Sequence, residues 1–177
     1  MDTPRSTLKI DPREDHAAFA AHCRDVIAGR QAARAVQFDR GESIYTLVRA
    51  NAADMDALLV DIWKSFGLAT ETDLALVAAG GYGRGELHPY SDVDLMLLYD
   101  PEAIEHITPL AQCFTQDIYD SGLKLGFSAR SIDEACKLSL QDISTFTSLA
   151  ESRFLQGSVQ LYSRYNKRFR RATRRYR

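Results

Sequence analysis

A chain of 177 residues, 45% hydrophobic and 26% charged, has the composition of a soluble globular domain long enough to bury a core. Its formal net charge of −2 does not suit a nucleic-acid binder, and its longest apolar run, Leu74–Ala79, is far short of the ~20 residues that a membrane span needs. The opening Met1-Asp-Thr-Pro-Arg5 lacks the apolar centre of a signal peptide, so the expected location is the cytoplasm, with no nucleic-acid or membrane partner.

In chain order, residues 1–14 are polar and expected to be loose. Asp15 to about Val36 reads as a helix, with Phe19, Val26 and Ile27 among its apolar positions and Gly29 as a weak point. Together residues 1–37 form a helical lead-in. Ser43–Phe66 is the clearest helix. Ile44, Leu47, Val48, Met55, Leu58, Leu59, Ile62, Trp63 and Phe66 recur at helical spacing and form one face. Ser43 supplies a capping side chain and Gly67 a stop. Leu74–Ala79 is apolar throughout and Val93–Tyr99 mostly so, as buried strands are. Ile107–Tyr119 is helical, Asp120-Ser-Gly122 a turn, and Leu123–Ala129 alternates like a half-buried strand. Ser131-Ile-Asp-Glu134 has the form of a capping box, so a helix to about Leu140 follows. A further helix is expected from Ile143 to Leu155, ended by Gly157.

The last fourteen residues, Arg164–Arg177, hold eight Lys or Arg and no acid, leaving a body of net charge −10. Such a run is usually a solvated helix end. It also suits an acidic or phosphate-bearing contact, or a helix cut short, since no Gly or Pro stops it. Residues 162–177 are therefore set apart as a basic tail. The cysteines Cys23, Cys113 and Cys136 are far apart, with no Cys-x-x-Cys pair. That argues against zinc or a disulfide framework, and all three are expected to be buried or half-buried thiols. The order of elements predicts an α+β fold, a small mixed β-sheet flanked by helices.

The chemistry concentrates in Gly80-Gly-Tyr-Gly-Arg-Gly-Glu-Leu-His-Pro-Tyr-Ser-Asp-Val-Asp94. A strand ending in Gly80 and Gly81 lets backbone approach a bulky anion. Free amides in such a corner cradle phosphate, and Arg84 adds a charged donor. The stretch is not a P-loop, which would need Gly-Lys-Ser/Thr. Asp92 and Asp94 lie two apart on a strand, so both carboxylates share a face while Val93 and Leu95 point to the core. Two such carboxylates repel unless a cation intervenes. Magnesium, which takes hard oxygen ligands and shares them with substrate phosphates, is the natural one.

Strand, double glycine, spacer, Ser91-Asp-Val-Asp94 and strand together resemble the polymerase-beta-type nucleotidyltransferase superfamily. More narrowly, Gly80 to Leu98 is similar to the N-terminal nucleotidyltransferase domain of the bifunctional uridylyltransferase/uridylyl-removing enzymes. Further similar blocks are Phe38-Asp-Arg-Gly41, Arg49-Ala50, Asp56-Ala-Leu-Leu59, Tyr119–Gly126, Ser128-Ala-Arg130 and Thr147–Arg153. The resemblance spans about 38–161. It implies that Asp92 and Asp94 ligate Mg2+, that Gly80, Gly81 and Ser91 hold the triphosphate, and that UMP passes from UTP to a tyrosine of the nitrogen regulatory protein PII, releasing pyrophosphate. The superfamily usually adds a third carboxylate on a later strand. None stands in Leu123–Ala129, so Asp120 is the candidate, ahead of Asp133 and Glu134. The general base is unassigned, and His88 is either a phosphate contact or a loop-packing residue. The resemblance further implies a uridylyl-removing domain with a metal-binding His-Asp pair, then glutamine-sensing domains. The four histidines here form no His-Asp dipeptide and the chain stops soon after the first domain, so removal and glutamine sensing are not expected of it. Two alternatives stay open: another base or acceptor, or a truncated, catalytically incomplete domain that binds nucleotide or PII.

Overall fold

The computed structural model describes residues 15–68 and 72–176. The expectation for residues 1–14 lies outside them. Helix α1 (His16–Asp39) opens with the Asp15 side chain accepting from the Ala18 amide at 2.9 Å, and it buries Phe19, Ala20 and Cys23. It runs through Gly29 and three residues past the expected end, because packing outweighs the weak local propensity of one glycine. A β-carbon at Gly29 would meet nothing within 4 Å. Gly29→Ala is therefore expected to raise stability by about 0.5–1 kcal/mol, read as an upward shift in a urea unfolding midpoint.

Helix α2 (Ile44–Ser65) buries the predicted stripe from Leu47 to Trp63, while Ile44 stays exposed. Ser43 occupies the N-cap position without a side-chain hydrogen bond. The Trp63 indole donates to the Leu68 carbonyl at 2.9 Å. Its ring meets Phe114 edge-on, with centroids 5.8 Å apart.

Strands β1 (Leu74–Ala78) and β2 (Val93–Tyr99) pair antiparallel at the sheet centre. Between them lies one helical turn, α3 (Gly80–Gly83). After a 3-10 turn at Pro101–Ala103, helix α4 (Ile104–Asp120) leads to β3 (Leu125–Ser131), which pairs parallel to β2. This strand starts and ends two residues later than expected. Ser131 serves both as its last residue and as the N-cap of α5 (Ile132–Gln141), with the predicted capping box formed in full with Glu134.

The largest departure comes next. Helix α6 (Ile143–Ala150) is short, and β4 (Arg153–Gly157) replaces the rest of the expected helix. The strand is antiparallel to β1, with a register shift between Leu76 and Val77. Phe154 and Leu155 fit either period. What decides is that the outer edge of β1 would otherwise leave a row of amides and carbonyls unpaired.

The resulting four-stranded order is β3-β2-β1-β4, with both parallel and antiparallel pairs. This is the mixed sheet that was expected. One face packs Leu76, Ala78, Val93, Leu95 and Leu97 with α1, α2 and α4. The other packs Ala75, Val77, Met96 and Leu98 with α5, α6 and α7 (Val159–Ala172). Covering both faces explains why β1 and, Asp94 apart, β2 are apolar at every position.

The basic run is not simply a solvated end. Leu161, Tyr165 and Phe169 of α7 are buried in the second core, and the charges occupy the opposite side. Arg164 pairs with Asp100 and Arg168 with Asp133 at the surface. The boundaries expected at 37/38 and 161/162 both fall inside helices. Cys23 and Cys136 are buried, but Cys113 is exposed: it lies on the outer side of α4, where apolar spacing alone does not fix a single residue's environment. No helix among the described residues is long and apolar enough to cross a membrane.

Candidate active site at the glycine corner

The site is built where β1 ends. The Ala79 amide still donates to the Asp94 carbonyl at 2.9 Å. The chain then turns at Gly80 (φ 55°) into α3. The first-turn amides of a helix have no partner in its own ladder, so the corner presents N–H groups beside the start of β2.

Asp94 is the second strand residue, and its carboxylate lies between two glycines. A β-carbon at Gly80 would stand 2.6 Å from Asp94 Oδ2, and one at Gly126 would press on Oδ1. Asp94 and Gly126 are direct partners across the parallel β2–β3 pair. Any side chain at either position would displace the carboxylate. Burial, then the charge of Asp92, pushes the Asp94 carboxyl above the usual carboxylate range. Asp92 itself is exposed, just ahead of β2, while Val93 and Leu95 are buried. The structure thus brings together Asp94, Gly80 and Gly126, with the charge of Asp92 acting on them. A half-buried carboxylate within the field of a second one, set against a glycine corner, suits a hard divalent cation shared with phosphate.

The other candidates are placed less simply. Arg84 is paired with Glu86 at 3.3 Å and with Glu151. Its Nη2 is left facing Gly81, 3.5 Å from where a β-carbon would stand. The Ser91 hydroxyl donates to the His88 carbonyl at 2.9 Å, closing the loop. His88 is exposed in that loop. Its neighbour Tyr90 is 82% exposed at φ 65°, a left-handed conformation that costs a bulky residue free energy. Asp120 sits at the end of α4, its carboxylate accepting from Gln116 Nε2 at 3.0 Å and its carbonyl accepting from Arg24 at 2.5 Å. Among the described residues no three of His, Cys, Asp and Glu gather into a metal-sized group, so Asp120 does not join the pair.

Three residues with no individual role assigned from the sequence, Asp56, Tyr82 and Arg153, hold the corner in place. Arg153 Nη1 donates to Asp56 Oδ2 at 2.7 Å and Nη2 to Oδ1 at 3.1 Å. The same guanidinium donates to the carbonyls of Tyr82 and Gly83, each at 3.3 Å, and lies over the Tyr82 ring. The Tyr82 hydroxyl donates to Asp56 at 2.5 Å. Burial, reinforced by Asp56, drives the Tyr82 hydroxyl far above the ordinary phenol range, so it stays a donor. Burial opposes the charge on Arg153, and the bonds to Asp56 more than offset it. The network ties α2, α3 and β4 together under the glycines. The available signals were an acid beside the core stripe of α2 and a glycine on the polar side of β3. Neither gives the pairing that makes them meaningful.

A separate groove of about 510 Å³ lies between α1, α2 and the loop before β2. Its lining includes Phe38, Val48, Tyr90, Ser91 and Val93, but not Gly80, Asp92 or Asp94. It opens on the Val93 side of the sheet and is distinct from the acid corner.

Comparison with known proteins identifies the family. The family model described as a nucleotidyltransferase domain matches residues 58–155. The chain is 38% identical over 157 residues to the bifunctional uridylyltransferase/uridylyl-removing enzyme of Ectopseudomonas mendocina (strain ymp), covering 89% of this chain and 17% of that protein. It is 37% identical over the same length to the enzyme of that name from Pseudomonas fluorescens (strain SBW25), with the same coverage. The chain therefore spans less than a fifth of the length of these relatives. With its paired acids at a glycine corner and a family match over more than half its length, the chain belongs to the nucleotidyltransferase domain family.

Proposed function

We propose that the chain transfers UMP from UTP to a tyrosine hydroxyl of the PII signal protein, in the cytoplasm, with release of pyrophosphate. The observation that carries the transfer chemistry is the Asp94 carboxylate held between Gly80 and Gly126 beside Asp92. The choice of UTP and PII is supported by the names of the relatives and by the resemblance described above.

In this reading Asp92 and Asp94 hold Mg2+, whose chemistry when bound is to neutralise charge building on the phosphates. The amides of Gly80 and Gly81 and the free Nη2 of Arg84 receive the non-bridging oxygens. The Ser91 hydroxyl turns from the His88 carbonyl to the phosphate. The acceptor oxygen attacks the α-phosphorus in line, the bond to pyrophosphate breaks, and the hydroxyl proton leaves to solvent or to a base outside the residues named here. Catalysis of this kind rests mainly on positioning and charge, and the network under the corner supplies rigidity.

The lack of a three-acid group among the described residues favours a second reading, a domain that binds nucleotide without turnover. Incubation with Mg2+, labelled UTP or ATP, and PII, beside an Asp92→Ala/Asp94→Ala control, separates the two. Label on PII from UTP alone is the expected result. Label from ATP points to another base, and bound nucleotide without label points to the second reading.

A further inference from the structure

Helix α6 is pressed onto the glycine corner. Gly83 passes so near the Glu151 carbonyl that no side chain would fit. Glu151 also pairs with Arg84, and Arg153 donates to the carbonyls of Tyr82 and Gly83. These contacts bring the last turn of α6 beside Gly80. In that turn Ser148 places its Oγ 3.6 Å from the point where a Gly80 side chain would begin, and Asp94 Oδ2 is 2.6 Å from the same point. A hydroxyl, a carboxylate and a bare glycine therefore surround one spot.

The two threonine hydroxyls on α6 are already used. Thr145 donates to Asp142 at 2.6 Å, and Thr147 bonds the carbonyls of Ile143 and Ser144. Helical serines commonly bond back to the preceding turn in this way. Ser148 is half-buried and makes no such bond among the described residues. The hydroxyl is within reach of solvent and lies beside a site for charged oxygens, so a ligand oxygen can take the place of its water.

We propose that Ser148 is a substrate-contacting residue. Its Oγ–H donates to a non-bridging oxygen of the triphosphate lodged against Gly80, across the corner from Asp94. This rests on the nucleotide reading above and adds a fourth element to the site, contributed by the Thr147–Arg153 block.

The test is calorimetric binding of magnesium–UTP to the parent chain, Ser148→Ala, Ser148→Thr and Asp92→Ala/Asp94→Ala, with a thermal melt of each. Alanine is the best helix former, so S148A is expected to keep the parent melting temperature while its affinity falls about tenfold, the worth of one hydrogen bond to a charged group. S148T, which keeps the hydroxyl, is expected to bind more tightly than S148A. Parent affinity in S148A overturns the proposal and leaves the nucleotide reading standing. So does a loss of affinity matched by a collapse of the melt, which would mark a structural role. A parent chain that binds no more tightly than the double-alanine control overturns both.

Discussion

Asp94→Asn is expected to leave a folded protein that transfers nucleotide roughly a thousandfold more slowly, because charge neutralisation by a held cation supplies several kcal/mol to such reactions. Stability should move the other way. Burial and the charge of Asp92 raise the Asp94 carboxyl in the folded state. A carboxyl raised on folding favours the native state only while protonated, and that advantage is lost as pH rises from the unfolded carboxylate range through the raised value. At neutral pH the ionised group is thus a net cost. Asparagine keeps the shape between Gly80 and Gly126 and removes the repulsion, so the melting temperature should stay level or rise. The same substitution should flatten the decline of the parent chain's stability as pH rises from acid. Full transfer activity in this variant, or a chain that fails to fold, would remove the basis for assigning Asp94 to the site.

Arg153→Ala is the second large effect, and here stability falls along with activity. The variant strands the Asp56 carboxylate, 30% exposed, and takes the donor from the Tyr82 and Gly83 carbonyls. Breaking a fully buried pair costs about 3–5 kcal/mol. With both partners near one-third exposed, screening by water reduces that to about 2–3 kcal/mol. In a chain of this size the melting temperature should then drop by roughly 5–10 °C. Transfer assayed well below the new midpoint should still be depressed, since the turn bearing Gly80 and Gly81 loses its tie to α2. Arg153→Lys keeps the charge but not the fork of donors, and should fall between the two. A melt for Arg153→Ala indistinguishable from the parent would mean that the network contributes nothing to holding the corner.

The parts of this site legible in the sequence are those set by neighbours along the chain. Apolar runs mark β1 and β2, Gly80-Gly81 marks the turn between them, and the spacing of Asp92 and Asp94 marks two acids at the opening of the second strand. The capping box at Ser131 and Glu134 is equally local, and it forms as expected. Strand β4 was hidden because Phe154 and Leu155 satisfy a helical and an extended period alike, and only the open edge of β1 chooses between them. Gly126 looked like a polar-face residue of a half-buried strand. Its meaning comes from a parallel register that sets it against Asp94, a pairing across more than thirty residues that no local pattern encodes.

By itself, then, the amino-acid order determined the α+β class, the glycine corner and the acid pair, since period, turn chemistry and charge spacing act within a few residues. Tertiary structure alone decided that Arg84 shares its charge with Glu86 and Glu151, that Arg153 and Asp56 brace the corner from distant elements, and that Ser148 reaches it from α6. The physical reason is that a side chain's partner is set by how layers pack and strands register, and those contacts join positions that the linear pattern leaves independent.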